Sequence, residues 1–396
     1  MRTAFILLAL LGCALAQDVE LGGELKVEFG LATNGDIVVS TADLNLIISG
    51  EVGQGFFPDA SFEAAVESSY DAATGEVRAE LGETYAKLFL DDFDLSAGNQ
   101  IVAWGSADGF NPVDVINPRD LSFPFASKKL PVPLLRAVYN APSIKIDAVV
   151  IPAFRASKPP DVRYLQTFQS PPGVTITEQE TPIDNRPAVT LKNVQYGARA
   201  AFDLFDGADV NLTYFGGYRK EPTVFMKLTP ARQPGQFTVQ PVLNYDWIHL
   251  VGVDFSASVA GTVIRGEAAY TFTEDPDGSD PAVGNPSFEA VLGTEYTFGD
   301  LFTSLQGIVE YVRGDHLTFQ TVLTARYDID HRTRVEGFWL QSLSDGGGVI
   351  GPGLSYIFAD GVSGEARAFL FYGAKDSELG ALKGQSQFRF SLHYAF

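Results

Sequence analysis

The chain of 396 residues is poor in cysteine, histidine and basic residues, and each shortage excludes a class of protein. Its single cysteine, Cys13, lies in the N-terminal segment, so we expect no disulfide bond in the fold. With four histidines and no serine in a recognisable nucleophile motif, the chain is not expected to be an enzyme. Its 28 basic residues against 49 acidic ones give a net charge of −21, which argues against a nucleic-acid partner.

Motifs for cofactors and metals are also absent. The sequence contains no dinucleotide fingerprint, phosphate loop, zinc-ligand cluster or haem motif, and we expect no cofactor. Residues 274–280 form the densest acidic segment, but it lacks the full spacing of a calcium loop and the distal glutamate. We therefore interpret this segment as a solvated loop and expect no metal site.

No apolar run is long enough for a membrane helix. The N-terminal run within MRTAFILLALLGCALA is too short to span a bilayer as a helix. Arg2 before this run and Ala14-Leu15-Ala16 after it predict a secretory signal peptide over residues 1–16, cleaved after about Ala16. Lipidation of Cys13 in a loose lipobox is the alternative. Residues 17–396 are predicted to form a single exported domain.

Alternation of apolar and polar residues is abundant instead. In the last ten residues, every second side chain is apolar and the others are mostly polar. Because successive side chains of a strand point to opposite faces, this segment is predicted to be a strand with one lipid-facing side. It ends on an aromatic residue, and we expect the barrel-assembly machinery of the outer membrane to recognise it. The apolar side chains are Phe388, Phe390, Leu392, Tyr394 and Phe396.

Strand-like segments follow one another along the chain, and short turns alternate with longer links between them. Outer-membrane barrels place short turns at the periplasmic end and longer loops outside. Lipid cannot satisfy unpaired backbone groups, so such a sheet must close on itself. We therefore predict an all-β, transmembrane, antiparallel up-and-down β-barrel of about eighteen strands, surrounded by outer-membrane lipid and glycolipid, with both termini periplasmic. Sixteen strands is the alternative, and an extra strand over 236–245 is an open point.

The polar faces of the cleaner strands carry both charge signs in equal number. We predict that these side chains face a wet lumen, because buried charges need water or partners. Such a mixed lumen implies no strong selectivity for either ion sign, and the excess acid is expected in loops and turns. The alternation shows no extensive apolar lumen patch, which argues against a transporter of hydrophobic ligands. The predicted lumen-facing residues are Lys145, Asp147, Arg155, Arg199, Asp203, Arg265, Glu267, Glu289, Glu295, Glu310, Arg326, Glu365, Arg367 and Arg389.

A patterned loop follows the fifth predicted strand, which ends at Trp104-Gly105. The loop contains two Asn-Pro turn signals and charges of both signs. We predict that the segment 105–129 folds into the barrel and narrows it. An extracellular loop packed on the barrel rim is the alternative. The residues expected in the constriction are Asp108, Asn111, Asp114, Asn117, Arg119, Asp120, Lys128 and Lys129.

The segment GNQIVAWG…FNPVDVINPRDLS resembles the DUF1302 family of uncharacterised bacterial outer-membrane proteins and their porin-like relatives. In that family a strand with a G-x-Q-x-V-x-W-G pattern leads into an N-P-x-D loop. The resemblance implies an outer-membrane location and a porin-like role, but no substrate and no catalytic residue. A looser similarity to alginate-export-like channels is weakened because the lumen lacks their continuous basic ladder. The matching residues are Gly98, Gln100, Val102, Trp104, Gly105, Asn117, Pro118 and Asp120.

Two functions remain open on the sequence alone. The first is a porin-like channel that passes small hydrophilic solutes passively or with weak selectivity. The second is a surface-exposed structural or adhesin barrel that acts through its long loops, 157–189 and 220–246, which are rich in proline and glutamine. A homo-oligomer is compatible with both functions, although no residue pattern marks a subunit contact.

Overall fold

The computed structural model describes residues 18–53, 59–161, 175–205, 207–231, 233, 236–315 and 317–396. The predicted signal peptide, Cys13 and His316 lie outside these ranges. Strands dominate the described residues. Numbered in chain order, the strands are β1 (Asp18–Ala32), β2 (Ile37–Val52), β3 (Ala60–Asp71), β4 (Glu76–Leu90), β5 (Phe93–Gln100), β6 (Arg119–Asp120), β7 (Lys128–Lys129), β8 (Val132–Ala141), β9 (Ile144–Ile151), β10 (Thr175–Gln179), β11 (Ile183–Asn185), β12 (Gln195–Phe205), β13 (Ala208–Tyr218), β14 (Thr223–Pro230), β15 (Gln236–Asn244), β16 (Trp247–Val259), β17 (Thr262–Phe272), β18 (Ser287–Phe298), β19 (Leu301–Val312), β20 (Leu317–Asp328), β21 (Thr333–Ser342), β22 (Gly348–Ala359), β23 (Val362–Tyr372) and β24 (Gln387–Ala395).

Among the described residues, eighteen strands form one antiparallel sheet that closes on itself. Closure is the pairing of β1 with β24, which runs from Glu24 opposite Ala395 to Ala32 opposite Gln387. The predicted closed all-β barrel of about eighteen strands is thereby confirmed. The segment 236–245 does contain a strand, β15, but this strand pairs outside the barrel.

The connections differ in length at the two ends of the barrel. At the end that we call the short-turn end, hairpins close over pairs of residues such as 260–261 and 360–361. Both chain ends of the sheet meet there, because the amide of Gly23 donates to the carbonyl of Phe396 at 2.9 Å. The opposite end, the long-loop end, carries the connections 152–194 and 219–246.

The outward face of the barrel is apolar along the strands. In β16, Val251 and Val253 are exposed outward, whereas Leu250 before them and Asp254 after them are buried inside. The five apolar side chains of the C-terminal segment are likewise exposed, including Phe396. The side-chain period of two thus separates an apolar outside from a charged inside.

Strand β21 is apolar on both faces, and the structure explains why. Trp339 points outward and is 39% exposed. On the inward face, Phe338 and Leu340 pack against a buried cluster that includes Phe123, and Phe123 belongs to a loop inside the barrel. An inward apolar residue here therefore has a protein partner rather than water.

Two strand ends differ from the sequence prediction. Strand β5 ends at Gln100 rather than at Trp104-Gly105, because the amide of Ile101 turns to the Glu83 carboxylate, at 2.8 Å, instead of a neighbouring strand. Strand β9 ends at Ile151, so Arg155 lies beyond the strand on which it was predicted, but its side chain does line a cavity inside the barrel. Pro152 follows directly, and proline has no amide hydrogen for the ladder.

Segments of the connections 152–194 and 219–246 form a second sheet at the long-loop end. Strand β15 pairs antiparallel with β14 on one side and parallel with β10 and β11 on the other. Helical structure in the described ranges consists of three short 3₁₀ segments, Pro124–Ala126, Leu191–Asn193 and Gly380–Gln385. None of the helices described is long and apolar enough to cross a membrane.

A matched pair of substitutions tests which face of β20 meets lipid. Leu323, in the middle of the strand, is exposed outward, and the next residue, Thr324, has the opposite orientation. We expect Leu323→Arg to lower the free energy of unfolding in lipid vesicles by about 2–4 kcal/mol, because it places a charge in hydrocarbon. Thr324→Arg should cost much less, as measured by denaturant titration. Equal losses for the two variants would contradict the assignment of the faces.

Candidate functional site: a loop folded into the barrel

The connection between β5 and β8, residues 101–131, packs inside the barrel. Four of its side chains, Val102, Trp104, Val113 and Ile116, are almost completely buried against the inner wall. We call this segment the inner loop. The wall residues of this cluster are Val132, Leu134, Val149, Ile151, Phe215, Ile248, Leu250 and Ala269.

The inner wall therefore has an extensive apolar patch, which the sequence analysis did not anticipate. Val149 and Ile151 extend the alternation of β9 inward, and Phe215 does the same on β13. At Gly252 of β16 the loop approaches the wall so closely that a Cβ atom would lie 2.5 Å from Cγ1 of Val113. Because the inner loop covers this patch, it is a protein core and not a site for hydrophobic ligands.

Trp104 fixes the start of the inner loop through a buried polar contact. Its indole Nε1 donates to Oδ2 of Asp147 at 2.9 Å. The same carboxylate accepts two bonds from the guanidinium of Arg136, at 2.9 and 2.6 Å. Asp147 was predicted to face the lumen; it points inward, but it binds the loop rather than open water.

The next residues of the inner loop bind two further inward carboxylates. The amides of Ser106 and Ala107 both donate to Oε1 of Glu267 at 2.5 Å. The Ser106 hydroxyl donates to Asp254, which also accepts a bond from Arg199 at 2.7 Å. Acidic groups on β16 and β17 thus hold the loop backbone, whose amide hydrogens would otherwise be unpaired.

Asn117 ties the two ends of the inner loop together. Its Oδ1 accepts from the amide of Val102 at 2.7 Å, while its Nδ2 donates to the carbonyls of Gln100 and Leu130 at 2.9 and 3.0 Å. An amide side chain is the residue type that can donate and accept at once in this position. This role accounts for the asparagine of the Asn117-Pro118 pair.

Asp114 organises the basic residues of the inner loop. Its carboxylate is nearly buried and pairs with Lys129 at 2.6 Å and with Arg119 at 2.9 Å. Asn111 donates from Nδ2 to the carbonyl of Trp104 at 2.9 Å. The carbonyl of Asp108 accepts from Gln306 on β19 at 2.5 Å. Most of the predicted constriction residues therefore shape the loop itself.

The far tip of the inner loop reaches the opposite wall. The ring of Phe123 lies 4.7 Å from that of Phe369, and the ring of Phe125 lies 5.0 Å from that of Phe371. The guanidinium of Arg389 stacks 3.6 Å from the Phe123 ring. These phenylalanines form a second buried cluster with Val349 of β22. Strand β22 lies seven strands along the closed ring from β13, which contributes Phe215 to the first cluster. The loop therefore crosses the lumen.

A passage remains between the inner loop and the wall of β1 to β4. One cavity of about 860 Å³ opens there, lined by nine acidic and five basic side chains. A second cavity of about 700 Å³ lies towards the short-turn end, and Glu24 and Asn45 line both cavities. Each basic residue of the larger cavity is bonded to an acidic one. The pairs are Lys26–Glu28, Arg78–Glu76, Lys128–Glu67, Arg155–Glu80 and Lys158–Asp120.

The other residues predicted to face the lumen are spread around the inner wall and do not form one site. Each contact involves a different neighbour. Lys145 and Asp203 are exposed near the short-turn end. The contacts are Arg265–Glu295 at 3.0 Å, Glu289–Ser287 at 3.3 Å, Glu310–Thr318 at 3.4 Å, Arg326 at 4.9 Å from the Phe302 ring, Arg367 with both Glu336 and Glu365, and Arg389–Glu28 at 2.9 Å.

The sequence analysis missed the acidic wall of β1 to β3. Glu24, Lys26 and Glu28 alternate with Leu25 and Val27, so the pattern was present in the sequence. The sequence analysis assigned no inward or outward faces to these strands. The excess acid is therefore not confined to loops and turns, because part of it lines the passage.

His393 forms a hydrogen-bonded relay that the sequence did not reveal. Its Nε2 lies 3.0 Å from Oγ of Ser391, and its Nδ1 lies 2.8 Å from Oε1 of Glu24. A serine nucleophile also needs free donors for the oxyanion. In the described strands Ser391 is paired on both sides, opposite Glu28 and Glu365, so the ladder occupies the neighbouring amides. The contact between His393 and Glu24 joins β24 to β1 where the sheet closes.

Lys220 closes the long-loop end of the apolar patch. It is buried, its ammonium donates to Gln195 at 2.7 Å, and it lies 5.2 Å from the Phe215 ring. Burial lowers the pKa of Lys220 to about 7, since the charged form loses its hydration. Its carbonyl accepts from the amide of Ser157, which links the connections 152–194 and 219–246.

These features define a closed β-barrel whose lumen is crossed by one of its own long connections. The chain matches the family described as "Protein of unknown function (DUF1302)" over residues 32–395. It belongs to this family, as the Trp-Gly and Asn-Pro motifs of the inner loop suggested. Among curated proteins, none matches the chain.

Several solved structures are similar to this chain. A loop-deletion mutant of OmpT, an outer membrane protein of Vibrio cholerae, is 12% identical over 96% of this chain and 99% of that one, with a TM-score of 0.49. A mutant of the Rh. blastica porin is 13% identical over 96% and 100%, with a TM-score of 0.47. Salmonella typhi OmpF in complex with daunomycin is 12% identical over 96% and 97%, with a TM-score of 0.49.

A substitution of Asn117, which joins the two ends of the inner loop, tests whether this side chain holds the loop in place. Asn117→Asp replaces a donor with an oxygen that faces two carbonyls, and we expect a loss of about 2–3 kcal/mol in the free energy of unfolding. Asn140→Asp, at an exposed position, is the matched control. Urea unfolding followed by tryptophan fluorescence measures both. If the two variants are equally stable, the loop is not held by Asn117.

Proposed function

We propose that this protein is a bacterial outer-membrane channel for small hydrophilic solutes. A closed sheet satisfies the backbone groups that lipid cannot, and the outward face is apolar along the strands. The inward face carries charges of both signs, which is typical of a water-filled interior. These features support a location in the bilayer and a polar path through the barrel.

The observation that carries the proposal is the passage beside the inner loop. Its two cavities share Glu24 and Asn45, and together they follow β1 and β2 from the long-loop end to the short-turn end. A barrel of this strand number encloses a lumen wide enough for water unless something fills it. The inner loop fills one side, so the width of the remaining side would set the size limit for solutes.

A second candidate function is attachment at the cell surface. The four-stranded sheet of β10, β11, β14 and β15 favours it, because this sheet presents exposed apolar residues such as Ile183 and Val224 at the long-loop end. A barrel used only for attachment needs no open path. The two functions therefore differ in electrical conductance.

Single-channel recording tests the channel directly. Residues 121–127, the tip of the inner loop, are replaced by a short Gly-Ser turn that keeps β6 and β7 paired. The control variant carries the same turn in place of residues 276–279, in an exposed loop away from the passage. We expect discrete steps for the wild type, larger steps for the tip variant and unchanged steps for the control.

Silence from wild-type and tip variants that are folded and heat-modifiable would contradict the channel. Steps of equal size in all three proteins would show that the tip does not narrow the path. Silence from the folded proteins would favour attachment at the cell surface as the function.

A further inference from the structure

We infer that the passage favours cations and small cationic solutes over anions. This inference rests on the proposed channel function and names its substrate class. It departs from the sequence-based expectation of a lumen without strong selectivity. It depends on three features of the larger cavity: its charge balance, its ion pairs and the spacing of the remaining carboxylates.

The charge balance of the passage is negative. Nine acidic and five basic side chains line the larger cavity, which is an excess of four negative charges. Arg389 bonds Glu28 from outside this lining, at 2.9 Å, and counting it still leaves an acidic excess. An anion that enters the passage is therefore repelled, and a cation is attracted.

The basic residues of the passage are all engaged by carboxylates, so they offer little attraction to anions. Nζ of Lys26 lies 2.6 Å from Oε2 of Glu28, and a guanidinium nitrogen of Arg155 lies 2.5 Å from Oε2 of Glu80. The other three basic residues form the pairs given above. An ion pair presents a dipole rather than a net charge to a passing solute, and its field decreases quickly with distance.

Four carboxylates of the cavity lie outside these five ion pairs. Three of them, Glu24, Asp43 and Asp71, lie on β1 to β3, and the fourth is Asp161. Asp43 accepts a bond from the Thr41 hydroxyl at 3.2 Å, and Asp71 accepts one from the amide of Ala73 at 2.8 Å. Neither has an ion-pair partner within the part of the chain that the structure describes. Within the described residues, the carboxylate of Glu24 lies 2.8 Å from Nδ1 of His393 and has no lysine or arginine partner.

These three carboxylates form a ladder along the passage. In the strand register, Asp71 lies opposite Thr41, Asp43 lies two residues further along β2, and Glu24 lies opposite Asn45, two residues beyond Asp43. Two residues of a strand span about 7 Å, and each step also crosses to the next strand, about 5 Å away, so successive positions lie about 8–9 Å apart. This spacing is shorter than the Debye length of about 10 Å at 0.1 M salt, so the three fields overlap. A cation can therefore move from one carboxylate to the next without losing their attraction.

Reversal potentials in a KCl gradient test this inference. The variant Glu24→Gln/Asp43→Asn/Asp71→Asn removes the ladder. The variant Asp277→Asn/Asp300→Asn/Asp376→Asn removes three exposed carboxylates that do not line the passage, and it changes the net charge equally. We expect the wild type and the control to pass K⁺ in preference to Cl⁻, and the ladder variant to lose about threefold or more of that preference.

A second measurement needs only the wild type. Raising KCl from about 0.1 to about 1 M shortens the Debye length to about 3 Å, so the preference for K⁺ should decrease. A conducting wild type that prefers Cl⁻, or a ladder variant with unchanged selectivity, overturns the inference and leaves the channel standing. Folded protein without conductance overturns the channel function and the inference together.

Discussion

Backbone pairing between β1 and β24 is the constraint on which the rest of the structure depends. Without it, two strand edges would carry unpaired amides and carbonyls in a medium that cannot bind them. Closure at eighteen strands also creates a lumen too wide for side chains alone to fill. The inner loop, which enters the lumen directly after β5, fills part of this space.

The inner loop gives the barrel a core, which a water-filled barrel otherwise lacks. Trp104 and Val113 pack on one wall, and Phe123 packs on the other. Inward carboxylates such as Glu267 bind its backbone, so acid that appears to line a channel in the sequence is used to hold the loop. The polar cavity beside the loop lies against β1 to β4, where carboxylates outnumber the basic side chains.

The fold followed from the sequence because lipid imposes a strict side-chain period on strands, as the segment ending at Phe396 shows. The inward and outward faces of β9 and β17 could be assigned from the sequence for the same reason. The apolar inner patch could not be predicted, since Phe215 and Ile248 face a loop that is distant in sequence. Partners such as Asp147 for Trp104 depend on where the loop lies, and local patterning carries no such information.

The position of the inner loop is the central claim, and a paired cysteine variant tests it most directly. A Cβ at position 252 would lie 3.5 Å from Cβ of Val113, which suits a disulfide. The chain from Gln17 has no other thiol. In the folded barrel, Val113→Cys/Gly252→Cys should oxidise to a disulfide, whereas Val113→Cys/Val253→Cys, with its second thiol facing outward, should not. Free thiols in both variants under oxidising conditions would contradict the account.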